Sequence, residues 1–229
     1  MSTLVSRLVA LAALVSGLAL LAGCRSLGGS FLVFGGARVP QEPLIESVRD
    51  AGEATHDAQA EFATAFRLYQ RLTAPQAPEL AQLSKEYAES IDECAARVGE
   101  LGERTDVARK EAEALFGGWN EELTRFSGDS LRKKSEAQLH ESQAVTQRVL
   151  DALDRVQERA RPVMLALHDY ALFFHHNLNA RAIATLQDTY PQFDGECRAL
   201  EQELARVQAE IDGFLEHHGE AVKPAVRAE

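Results

Sequence analysis

The sequence predicts an all-α protein, an elongated antiparallel four-helix bundle or coiled coil behind a short apolar leader. Two observations carry the prediction. Four long stretches repeat apolar residues at three- and four-residue steps, the period of one buried helix face. Composition agrees: 45% of the 229 residues are hydrophobic and only 7% aromatic, with glycine and proline few and mostly at the edges of those stretches. That is the usage of a long helical chain, not of a β-sandwich or a disordered tail.

The first element is residues 1–23. One cation, Arg7, precedes an uncharged apolar run from Leu8 to Leu21, the pattern of a secretory signal. At roughly 14–16 residues the run is shorter than the ~20 that a helix needs to cross hydrocarbon. It ends in Leu21-Ala22-Gly23-Cys24. This resembles a bacterial lipobox, whose small residues let the backbone enter a narrow peptidase cleft while the cysteine thiol accepts a diacylglyceryl group. The alternative is an uncleaved apolar anchor that ends in cysteine. The resemblance also implies a compartment. An aspartate after the lipidated cysteine would imply the inner membrane; Arg25 in its place implies anchoring at the outer membrane, facing the periplasm.

Residues 24–40, which include "RSLGGSFLVFGGARVP", read as a lipidated tether. Its apolar patch, Phe31 to Phe34, suits either a bilayer interface or the body of the protein.

The bundle occupies residues 41–217. Its first segment carries Leu44, Val48, Ala51, Thr55, Ala58, Phe62, Ala65, Tyr69 and Leu72, and ends at "TAPQAP", where Pro75 and Pro78 forbid continuation. The second runs from Leu80 through Tyr87, Cys94, Leu101 and Leu115 to Trp119 and Phe126; a stutter falls at Tyr87, and Gly117-Gly118 weaken its last turns. "SGDS" turns the chain, with Asp129 or Ser130 as the expected N-cap. The third segment carries Val149, Leu153, Val156, Ala160, Val163, Leu167, Tyr170 and Phe174, with a kink expected at Pro162. Phase is then lost, so a turn is expected near 176–179 with Asn179 as a cap. The fourth segment runs from Ile183 to Phe214 with a second kink at Pro191, and residues 218–229 read as a flexible tail.

At about 1.5 Å per residue the four helices run roughly 50, 70, 68 and 55 Å, so the tip shared by the second and third projects past the start of the first. The run "LFGGWNEELTRFSGDSLRKKSEAQL", with "HHNLNARAIATLQ", resembles a bacterial lipoprotein family known as domain of unknown function 2959 (DUF2959), over roughly residues 42–216. The resemblance implies a coiled-coil-rich envelope protein and brings no activity to transfer.

The formal net charge of −11 disfavours nucleic acid, and there is no G-x-x-x-x-G-K-[ST] loop to cradle a nucleotide. His168 and His175 lie one heptad apart, roughly 10 Å along a helix and too far to share a metal. No metal, cofactor or catalytic residue is therefore expected. Glu-rich faces at Glu86, Glu89 and Glu93 and at Glu196, Glu201 and Glu203 suit solvated helix surfaces. Cys94 and Cys197 lie at similar heights on the second and fourth segments, as a disulfide or a buried thiol pair; helices diagonal in a square bundle are normally too far apart for the ~7 Å limit between Cα atoms. At the tip, Trp119 and Phe126 beside Arg125, Arg132, Lys133 and Lys134 suit a membrane or partner contact, or a solvated hairpin with Trp119 in its core.

Three classes of function follow. The first is a non-enzymatic envelope scaffold or adaptor, tied to the membrane by its N-terminal lipid and bound to an envelope protein. The second is a membrane-surface module. The third, a metal-dependent hydrolase, needs a convergent pocket that thin bundles rarely hold. Oligomeric state is open.

Overall fold

A computed structural model of the chain describes residues 41–74, 79–186 and 190–219, all within one compact unit that spans residues 32–229. The leader, Cys24, the tether, Pro75, Pro78 and the last ten residues lie outside the described residues. Among those described, regular structure is entirely helical: α1 (Glu42–Thr73), α2 (Leu80–Leu123), α3 (Asp129–His176), α4 (Ala180–Ala184) and α5 (Tyr190–Gly219).

Helix α1 opens with Glu42 and a proline in its first turn, where an acid suits the helix dipole and a missing N–H costs nothing. It stops at Thr73, short of Pro75. Helix α2 starts after Glu79, which holds φ 53° in the left-handed region that favours glycine. It runs through Gly117-Gly118 without a break. Helix α3 follows Gly128; no side chain caps it, and Asp129 and Ser130, either of them expected as the cap, are its first two residues instead. There the Asp129 carboxylate accepts from Arg132 at 3.1 Å. Helix α3 continues past Pro162 for 14 residues, because the apolar stripe on both sides holds it against its neighbours.

The fourth segment departs from expectation. It is two helices, not one kinked at Pro191. Asn179 caps the short α4, its side chain accepting from the Ala182 amide at 2.9 Å. Helix α5 then begins at Tyr190, so Pro191 sits in a first turn, where it removes no helical hydrogen bond. Tyr190 ties the two helices together by donating its hydroxyl to the Ile183 carbonyl at 3.0 Å. Helix α5 also runs to Gly219, two residues beyond the expected end of the bundle.

The four long helices pack in a ring, α1 on α2, α2 on α3, α3 on α5 and α5 on α1. Cross-helix pairs show that each neighbour is antiparallel. Along α1 and α2, Arg97 meets Asp57 at 3.8 Å and Arg104 meets Asp50 at 3.4 Å. Between α3 and α5, Tyr170 packs at a tilt on Phe193 and Arg155 meets Glu203 at 3.1 Å. The predicted stripes face inward: every named α1 position from Leu44 to Leu72 is buried, as are Val149 to Leu167 on α3 and Phe193 to Phe214 on α5. Thr55 and Thr105 sit in the core because each donates to its own helix, at 2.7 and 2.8 Å, leaving no orphan hydroxyl. Helices α1 and α5 approach so closely at Gly52 that a Cβ there would lie 3.0 Å from Ile211 Cγ2.

Register places the two ends. Asp50 is level with Arg104, so Glu42 is level with about residue 112 of α2 by equal rise per residue. The last turns of α2 and the first of α3 continue past that level and pair with each other.

Candidate functional site

The end of the ring where α1 stops and α5 starts holds all four tyrosines of the chain, Tyr69, Tyr87, Tyr170 and Tyr190. Tyr69 is the hub. Its ring centroid lies 4.9 Å from Tyr170, 5.0 Å from Phe193, 5.9 Å from Tyr190 and 6.4 Å from Tyr87. Phe62 and Phe66 extend the cluster along α1, and Phe174 of α3 joins it through Tyr87 and Tyr170. Offset and edge-to-face contacts of this kind contribute about 0.5–1.5 kcal/mol each beyond area burial.

The hydroxyls differ. Tyr87 donates to the Leu167 carbonyl at 3.0 Å across α2 and α3. Tyr69 Oη is buried without a hydrogen bond of ordinary geometry. Burial, followed by the neighbouring Tyr170 phenol, raises the Tyr69 pKa far above the normal phenol range; burial does the same for Tyr87, and lifts Tyr190 to about 12. These three stay protonated at neutral pH. An open depression of about 400 Å³ lies over this end, lined by Tyr69, Gln70, Thr73, Tyr190 and Asp194. Its one acid is held down: Asp194 lies below its usual carboxylate range because Arg198 donates to it at 2.7 Å and Gln70 at 3.0 Å.

Cys94 and Cys197 are both free and buried. The Cys94 thiol donates to Met164 Sδ at 3.5 Å. Burial, reinforced by Glu61 near Cys94 and by Asp194 near Cys197, pushes each pKa up to about 12. Thiols so protonated are poor nucleophiles.

At the opposite end the sequence-predicted tip residues separate into two groups. The Trp119 indole donates to Ser135 Oγ at 2.9 Å, tying α2 to α3, and Arg132 is engaged by Asp129 and Glu136. Trp119 and Phe126 are half-buried. Arg125, Lys133 and Lys134 are exposed, and among the described residues no carboxylate pairs with them. The structure thus brings Trp119 to the helix–helix seam and leaves three cations free at the tip.

The family described as Protein of unknown function (DUF2959) matches residues 37–218. The chain belongs to that family. No curated protein and no solved structure matches it. The DUF2959 match begins just before α1 and ends in the last turn of α5, so the whole helical ring is the family's own unit.

Two features of this DUF2959 chain escape reading along the sequence. The tyrosine cluster is one: its members are spread from residue 69 to 190, and only counting from the shared end of the ring would align them. The other is Glu203, its side chain just 9% exposed, held by Arg155 at 3.1 Å and Arg206 at 3.3 Å. Along the sequence it reads as one acid among several on a solvated face. Among the described residues no group of three or more histidine, cysteine or acidic side chains could hold a metal ion, and His175 and His176 contact each other edge-on at 4.7 Å.

Proposed function

We propose that this DUF2959 chain is a non-enzymatic envelope adaptor, moored to a bilayer by a lipid on Cys24 and presenting the α2–α3 tip to a partner protein. The observation that carries the reading is where the tip lies. The end at which α1 begins, directly after the proposed tether in the sequence, is also the end from which α2 and α3 project. A moored protein then holds Arg125, Lys133 and Lys134 towards the surface it is moored to. The body behind the tip is a packed apolar interior in which Tyr69, Tyr87, Cys94 and Cys197 are held protonated by burial, which suits a rigid spacer better than a catalyst.

The membrane-surface alternative keeps the same cations and draws on Phe126, since Trp119 is engaged with Ser135. One experiment separates the two. A photo-crosslinking amino acid at Lys133, in the full chain in its host membrane, captures one dominant envelope protein if the chain is an adaptor. Predominantly phospholipid adducts, together with liposome binding lost in the K133E/K134E variant, would transfer the role to lipid. Anchoring is tested separately, by the mass of the mature chain and of Cys24→Ser; an unacylated wild-type chain in the cytosol ends both readings.

A further inference from the structure

Among the buried side-chain polar atoms of the described residues that lack a hydrogen bond of ordinary geometry, one belongs to a group that titrates near neutral pH. It is Nε2 of His218, in the last turn of α5. The residue is half-buried, with Nε2 itself shut off from solvent. Its ring lies 4.5 Å from that of Phe214, a core side chain only 1% exposed, and 4.9 Å from that of the exposed His217. Register gives its other surroundings. Gly52 faces Ile211, so equal rise per residue sets His218 level with Ile45 of α1; Arg155 and Glu203 likewise set it level with His140 of α3. The charged and titratable residues at that level are Glu42, Glu46 and Arg49 on α1, His140 and Glu141 on α3, and Asp212, Glu216 and His217 on α5. All are exposed, and none is a hydrogen-bond partner of Nε2.

We propose that His218 is an acid-sensitive latch: neutral, it closes the last turn of α5 over Phe214; protonated, it leaves that slot and the turn opens. A neutral imidazole can carry its proton on Nδ1 and leave Nε2 a bare acceptor, which fits an apolar slot. Protonation puts an N–H on both nitrogens and a charge on the ring. Nε2 would then be a buried, charged donor without an acceptor, and the ring regains its hydration only by moving out. Burial, then the charge of His217, accordingly holds the His218 pKa below its ordinary 6.5. The sign follows. Between 6.5 and the folded value the open turn binds a proton that the closed turn does not, so closure is full above pH 6.5 and weakens as pH falls below it. Only one turn has to yield, because His218 is the last residue but one of α5 and a helix end has few hydrogen bonds to lose. The opening is therefore local to the end from which α2 and α3 project, and the aromatic end stays closed. The inference is independent of what the tip binds.

The test is amide hydrogen exchange of the full chain in detergent micelles, read by mass spectrometry from about pH 7.5 to 5 and corrected for the intrinsic pH dependence of exchange. Carboxylates stay ionised through most of that window, so histidines dominate the titration. The expected result is a loss of protection below pH 6.5 in the peptide that holds residues 212–219, with the peptides of Tyr69 and Tyr190 unchanged. His218→Phe fills the slot without a titratable group, so it should match the wild type at pH 7.5 and keep its protection at pH 5. His218→Leu serves the same purpose should phenylalanine overfill the slot. His217→Gln removes the neighbouring charge and should move the midpoint of the loss to higher pH. Protection that stays level from pH 7.5 to 5 would overturn the proposal. So would an acid loss that persists in both His218 variants, or one spread evenly over all helices.

Discussion

The two ends of the ring are built from the same helices by different means. Where α1 stops and α5 starts, four helices converge on Tyr69, and aromatic rings fill the space between them. Where α2 turns into α3, the described contacts are a few residues deep: Leu115, Leu139, Ser135 and the Trp119–Ser135 hydrogen bond. One end gains stability from apolar area. The other trades area for reach and carries the unpaired cations. A bundle of unequal helices can thus be anchored in its core at one end and be available for contact at the other.

The largest test of this contrast is alkaline pH, which acts on the aromatic end and its thiols. Both cysteines titrate near 9.0 when unfolded and near 12 when folded. Below pH 9 both states keep the proton and nothing changes. Above it the unfolded chain releases protons that the native chain retains, so stability falls as pH rises from 9 to 12. Each thiol contributes up to about 1.4 kcal/mol per pH unit. Raised tyrosine values steepen the loss above pH 10. Urea midpoints should differ little between pH 7 and 9 and then fall through pH 10 and 11, and substituting serine at both cysteines should flatten the 9–10 step; a level profile from 9 to 11 contradicts the assigned burial.

Truncation gives the next effect. Phe174→Ala empties a fully buried site at the aromatic end and should cost about 3–5 kcal/mol, whereas the half-buried Trp119→Ala should cost under about 2 kcal/mol. Equal losses would mean that the tip is as integral to the fold as the aromatic end.

Within the aromatic end the hydroxyls should behave oppositely. Tyr87→Phe removes a buried hydrogen bond and should destabilise by about 1 kcal/mol; Tyr69→Phe removes an orphan hydroxyl and should be neutral or slightly stabilising. The smallest pair concerns glycines. Gly99 faces open space, so Gly99→Ala should stabilise by about 0.5–1 kcal/mol through helix propensity, while Gly52→Ala should lose that gain against Ile211. Thermal melts of both variants read the difference directly.

Much of this was legible along the chain. Every α1 position that the apolar stripe names is buried, although Ile45, Ala54, Phe66 and Leu68 are buried beside them; the "TAPQAP" and "SGDS" breaks mark the first two turns, and the loss of phase after Phe174 marks Asn179. The misreadings share a cause. Pro191 and Asp129 were assigned from local rules, yet a proline breaks a helix only if the helix has already begun, and an aspartate caps only if the turn before it places it there. Both depend on where neighbouring helices let the chain start.

The sequence by itself determined the helical period, the order of the segments and the extent of the first three, because those follow from local spacing and from residues that forbid continuation. Only the tertiary structure decided that four tyrosines spread over more than a hundred residues share one cluster, that Trp119 is bound to Ser135, and that Leu165 and Leu172 are left outside. Those outcomes follow from register between helices, which is set by packing of the whole ring and written in no single segment.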